Sequence, residues 1–163
     1  MIKKVIKYED YDGNPGELTA WFNLNKSECM DIDLLYEEDG GLINHLKNLF
    51  SNKINGEIPK KPAVDFIRMI IDRSYGVRPA ENPQLFVKED DDGKPLIRKF
   101  KGAPAYDALV FSLFSGEESL DEFVNGVLPK IPNENMEEAK KKLREEGLGE
   151  LVEAANNSGL REV

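Results

Sequence analysis

The chain has 163 residues, 40% hydrophobic and 33% charged, and its 31 acidic side chains outnumber 22 basic ones for a net charge of −9. That composition is too apolar for disorder, and the length suits one domain with a buried core. The acidic balance repels a phosphate backbone, so nucleic acid is not an expected partner; with no apolar run of about 18 residues and no signal peptide, a soluble, unexported chain without membrane association is expected.

In chain order, residues 2 to 8 place Ile2, Ile6 and Tyr8 on one face at period two, and residues 17 to 24 do the same with Leu18, Ala20, Phe22 and Leu24. Two strands are expected, joined as an antiparallel hairpin through "EDYDGNPG", whose Asp-Gly and Pro-Gly pairs suit a turn. Trp21 falls on the opposite, polar face. Asn25 and Glu28 stand three apart and predict a capping box for a helix from about residue 26. A second helix is expected in "GGLINHLKNLF", with Leu42, Leu46, Leu49 and Phe50 on one stripe. A third is expected in "PKKPAVDFIRMIIDRSYGV", burying Ala63, Phe66, Ile67, Ile70 and Ile71 between Pro62 near its start and Gly76 past its end.

Residues 77 to 102, rich in Pro, Gly and Asp, read as an irregular excursion. Two amphipathic helices follow: one carries Tyr106, Leu109, Val110, Leu113 and Phe114, the other Leu120, Phe123, Val124, Val127 and Leu128. A capping box of Ser115 and Glu118 is expected to start the second and Pro129 to end it, and the short connection predicts antiparallel packing of the pair. Residues 130 to 163 read as a linker and a charged helical tail with the thin stripe Met136, Ala139, Leu143, Leu148, Leu151, Val152 and Ala155. The expected fold class is therefore α+β, mainly α: an N-terminal antiparallel β-hairpin, about five amphipathic helices and a C-terminal tail, divided as domain 1–129 and segment 130–163.

The sequence offers little chemistry. A calcium loop begun at Asp10 finds oxygens at Asp12 and Asn14, but Pro15 stands where glycine is required and Trp21 where a bidentate acid is required. The second acidic run, "KEDDDGKP", fails at Lys94. His45 reads as an exposed imidazole without a catalytic partner, and Cys29 as a buried helical thiol in a reducing compartment. Neither a nucleotide-binding glycine motif nor a nucleophile elbow occurs. No catalytic residue, metal site or cofactor is expected. What remains is an apolar surplus: Phe111 points away from the stripe of its helix, and Trp21 from the inner face of its strand. Either a partner-binding surface or a second packing layer accounts for them.

The order and spacing of "YEDYDGN", "FNLNKSE", "GGL", "RSYGV", "LFVKED" and above all "PAYDALVFSLFSGEESLDEFVNGVLP" resemble the tail assembly chaperones of long-tailed (siphovirus-type) bacteriophages of Gram-positive hosts. The likeness spans residues 3 to 129 and departs from the family at "NPG" in the first turn. It implies a non-enzymatic protein of the host cytoplasm that binds the tape measure protein, promotes tail tube assembly and leaves before the virion is complete. Implied partners are the tape measure protein, the tail tube protein and a further copy through self-association. It also implies a longer frameshifted product, for which "KKK" at 140 to 142 is a candidate slippery site. The competing reading is a tail completion or connector protein retained in the virion.

Overall fold

A computed structural model describes residues 1–51 and 60–129. The chain opens with strands β1 (Ile2–Glu9) and β2 (Pro15–Phe22), continues through helices α1 (Lys26–Leu35), α2 (Leu42–Ser51) and α3 (Lys60–Ser74), and adds the short strand β3 (Tyr75–Gly76). Helices α4 (Ile97–Lys101), α5 (Pro104–Ser115) and α6 (Leu120–Val127) complete the described part. The architecture is the expected mainly helical α+β fold with its N-terminal hairpin. The linker and tail expected over 130–163 lie outside the described residues.

The hairpin pairs Ile2 with Phe22, Ile6 with Leu18 and Tyr8 with Gly16, so the apolar positions of both strands share one face. That face packs on the helices while Lys3, Val5, Lys7, Glu17 and Thr19 stay exposed, the division typical of an antiparallel sheet wetted on one side. The third strand was not legible as one. Tyr75 and Gly76 pair with Phe22 and Trp21, giving the order β1-β2-β3. The excursion expected to be irregular from 77 to 102 has more order than its composition suggests: Val77 bridges Val87, Glu89 bridges Pro95, and helix α4 lies within it.

The two acidic turns are built alike. Asp10 donates its amide to the Asn14 carbonyl at 2.8 Å, Gly13 donates to the Asp10 carbonyl at 3.1 Å, and the Asp10 Oδ1 accepts from the amides of Asp12 (2.9 Å) and Asn14 (2.8 Å). Eighty residues on, Asp90 bonds Lys94, Gly93 bonds Asp90, and Asp90 Oδ1 accepts from Asp92 and Lys94 in the same pattern at 2.8 to 3.0 Å. The shared sequence E-D-x-D-G-x-P explains the likeness. The aspartate oxygen satisfies turn amides, the glycine takes positive φ (83° at Gly13, 74° at Gly93), and the proline re-enters extended backbone. In the first turn these amides, Asn14 foremost, hold the Asp10 carboxyl below its usual pKa range. In each turn it is the first aspartate, Asp10 or Asp90, whose carboxylate organises the loop.

Helices α1 and α6 are capped by the residue just before them. The Asn25–Glu28 box forms as expected: Asn25 Oδ1 accepts from the Glu28 amide and Glu28 Oε2 accepts from the Asn25 amide, each at 2.9 Å. For α6 the expected Ser115–Glu118 box is wrong. Ser115 closes α5 and turns its hydroxyl back to the Ser112 carbonyl, while Glu118 pairs with Lys4 of β1. Ser119 caps instead, accepting from the Glu122 amide at 3.2 Å. Gly116 at φ 79° ends α5 in a left-handed cap, and this separates the two candidate serines. Nor do α5 and α6 make their main contacts with each other. Helix α6 packs on β1, where Gly126 lets Ile2 approach so closely that an added Cβ would lie 2.7 Å from its Cδ1.

The core is continuous. Phe22, fully buried on β2, meets Tyr75, Phe100 and Phe123 at ring-centroid distances of 5.9, 6.1 and 5.2 Å, and Phe100 stacks on Tyr75 at 4.3 Å. Every apolar residue expected inside α3 is buried, with Leu109, Val110 and Leu113 of α5 and Val127 of α6. We expect Phe22→Ala to lower the unfolding free energy by about 3–5 kcal/mol and Asn25→Ala by about 1 kcal/mol. Both are read from urea midpoints at unchanged m-value.

Candidate partner-binding surface

The sheet and the helices beneath it are mismatched in width. Helix α3 packs under β2 and α5 under β1, with α3 and α5 side by side. Packed helices lie about 8–10 Å apart, but adjacent strands only about 4.8 Å apart. A pair of helices is therefore a wider layer than the two strands it underlies. On the β1 side Phe111 of α5 is 50% exposed and Val5 of β1 46% exposed.

Between strand and helix runs a groove of about 460 Å³, lined by residues 4 to 7 of β1, by Ala108, Phe111 and Ser112 of α5, and by Glu117 and Glu118 after it. The Lys4–Glu118 ion pair crosses one end. β1 is the edge strand. The Asp10 amide faces Asn14 across the turn, and strict alternation along an antiparallel ladder then turns the backbone groups of Tyr8, Ile6 and Lys4 toward β2 and those of Lys3, Val5 and Lys7 outward. Among the described residues, no backbone hydrogen bond from another element reaches this outer edge.

Trp21 lies elsewhere. It is half-buried on the outer sheet face, with Lys3 Nζ 5.7 Å and the Arg78 guanidinium 5.1 Å from its ring, an arrangement that favours retention of both cations. It does not line the groove. The structure thus separates the two sequence-predicted partner residues: Phe111 belongs to a concave site, Trp21 to a cation-flanked ring on the open face.

A further apolar surface escaped the sequence. Helix α1 buries Cys29 and Ile32, yet Met30, Leu34 and Leu35 are exposed at 64%, 65% and 57%. The signal was present in the mixed spacing of "CMDIDLL", since a helix apolar on two sides has one side without a partner inside its own fold.

The remaining candidates are structural. His45 is not a lone exposed imidazole: its Nδ1 lies 2.7 Å from Asp39 Oδ2 and its ring stacks on Tyr36 at 3.8 Å, so it joins the turn before α2 to the helix. Asp33 Oδ1 accepts from the Leu42 amide at 2.8 Å and caps α2 from a neighbouring helix. Lys88 donates to Glu28 at 2.6 Å and to the Arg73 carbonyl at 2.7 Å, pinning the excursion to the α1 capping box. Tyr106 donates to Asp72 at 2.9 Å, and burial with that bond pushes its phenol far above the ordinary range. Among the described residues no group of three or more His, Cys, Asp or Glu side chains is placed to hold a metal, and no helix is long and apolar enough to cross a membrane.

Among the described residues the groove thus combines apolar groups open to solvent with a strand edge that no described backbone group pairs. Residues 1–161 match the phage tail assembly chaperone family, and the chain belongs to that family. The match includes nearly all of segment 130–163. No curated protein and no solved structure matches the chain.

Phe111→Ser is expected to change the unfolding free energy by about 1 kcal/mol or less, because half the ring is already in water; a larger loss in a thermal melt would assign Phe111 to the core. Burial first, then the charges of Asp33 and Glu28, push the Cys29 thiol up to about 11 from 9.0. The unfolded chain therefore ionises first as the pH rises. Stability contributed by the protonated thiol is full below pH 9 and falls between about 9 and 11. Iodoacetamide at pH 8 should leave native Cys29 unmodified and alkylate it in urea, which mass spectrometry reads directly.

Proposed function

We infer that this protein is the tail assembly chaperone of a long-tailed, siphovirus-type phage of a Gram-positive host, and that its client is the tape measure protein. The observation that carries the reading is Phe111, half exposed in the groove beside a strand edge that no described backbone group pairs, in a chain of this family. A long apolar client needs exactly such surface covered until the tail tube subunits polymerise around it, and the chaperone's net charge of −9 keeps the complex dispersed. Phe111 in the groove and Trp21 on the open face are the client contacts in this reading, and the exposed stripe of α1 extends them. Tail tube protein is the second partner, and self-association brings copies together along the client. The protein acts in the host cytoplasm, without catalysis, and is absent from the finished particle.

Co-expression with the tape measure protein tests this. The client is expected to be soluble and to co-purify with this chain, and Phe111→Ser or Trp21→Ser to lower the co-purified yield without unfolding the chaperone. A client that stays insoluble in the presence of wild-type chain would refute the reading. Mass spectrometry of purified virions should find no peptides of this protein; abundant ones would favour a retained completion or connector subunit.

A further inference from the structure

We propose that the groove between β1 and α5 receives an extended segment of the client as an added strand, antiparallel to β1, with apolar or small side chains inward over Ala108 and Phe111 and acidic side chains outward beside Lys3 and Lys7. This deepens the chaperone reading and rests on it for the identity of the occupant.

Three observations converge. The outward backbone groups of Lys3, Val5 and Lys7 form a ladder edge that no described backbone group occupies, and such an edge is a template for another strand. Ala108, Phe111 and Ser112 of α5 line the groove beside that edge, with Phe111 half exposed in it to meet inward side chains of the added strand. The charge pattern selects the occupant. In a chain of net charge −9, the edge presents Lys3 and Lys7 on either side of the exposed Val5, so a strand with acid, apolar or Thr, and acid at alternate positions places opposite charges directly across the ladder. A second copy of this chain fits less well. Its β1 is equally basic, so an antiparallel β1–β1 pairing centred on Val5 would set Lys3 of each copy directly across the ladder from Lys7 of the other, like charge against like.

The experiment uses the full chain and a fluorescein-labelled peptide, Ser-Val-Glu-Leu-Thr-Leu-Glu-Val-Ser, read by fluorescence anisotropy. Saturable binding is expected, with loss of at least tenfold in affinity for Phe111→Ser. Val5→Pro is expected to lose at least as much while keeping the hairpin, because the Val5 amide points away from β2 and proline suits an edge position. The peptide itself supplies a control that leaves the protein untouched: N-methylation of its Glu and Thr amides, which face β1 in this register, abolishes binding, and N-methylation of its Leu amides does not. Equal effects of the two methylation patterns, undiminished binding to Val5→Pro, or no binding of the parent peptide would each overturn strand addition. A concentration-dependent dimer that Val5→Pro abolishes would assign the edge to a second copy and overturn it too. If the client is soluble on co-expression while the peptide arm fails, only the binding mode is wrong; if the client is insoluble with wild-type chain, the chaperone reading itself falls.

Discussion

The packing of Phe22 at the end of β2 is the contact on which the rest of the described fold depends. Its ring touches aromatic side chains from β3, α4 and α6, and Phe100 carries the cluster on to Tyr106 of α5 at 5.5 Å. One residue thus ties the hairpin to β3 before the long excursion and to α4 and α6 after it. Tilted and edge-on ring pairs add to area burial, and a close-packed core leaves such a centre little room to relax. The adjoining backbone closes the same junction: Asn23 donates to the Ser74 carbonyl at 2.8 Å and Leu24 to the Val127 carbonyl at 2.9 Å.

Around that centre, polar groups serve mainly as fasteners. Glu28 completes the α1 cap and also holds Lys88; Asp72 accepts from both Tyr106 and Lys101. Each joins segments remote in sequence, and each uses a charge that would otherwise have been available for catalysis or metal binding. The two E-D-x-D-G-x-P turns make the same point at short range, since Asp10 and Asp90 each bond turn amides.

The groove arises from geometry rather than from any single motif. A helix layer is wider than a strand layer with the same number of members, so a hairpin on paired helices leaves helix surface beyond its strands to be covered. Many folds cover such an edge with further chain or blunt it with charge. Here Lys3 and Lys7 flank the edge, and among the described residues Val5 and Phe111 remain exposed beside it. Trp21 differs from Phe111 of α5: it lies half-buried on the outer face of the sheet, flanked by Lys3 and Arg78.

What the amino-acid sequence determined by itself is whatever depends on neighbours a few residues apart: the period-two faces of the hairpin, the α3, α5 and α6 stripes, the Asn25–Glu28 cap, the failure of the calcium loop at Pro15 and Trp21, and the family resemblance carried by the helix pair after residue 103. The tertiary structure alone decided the rest. Tyr75 and Gly76 become a strand only because β2 offers them a partner; Ser119 displaces Ser115 as a cap because Gly116 ends α5 and Lys4 claims Glu118; His45 acquires Tyr36 and Asp39 from a preceding turn. Phe111 stood out in sequence as a residue off its stripe, but whether it lay in a second layer or in water depended on the width of the sheet above it. Local patterns record which face of an element is apolar. Only packing fixes which apolar faces find cover.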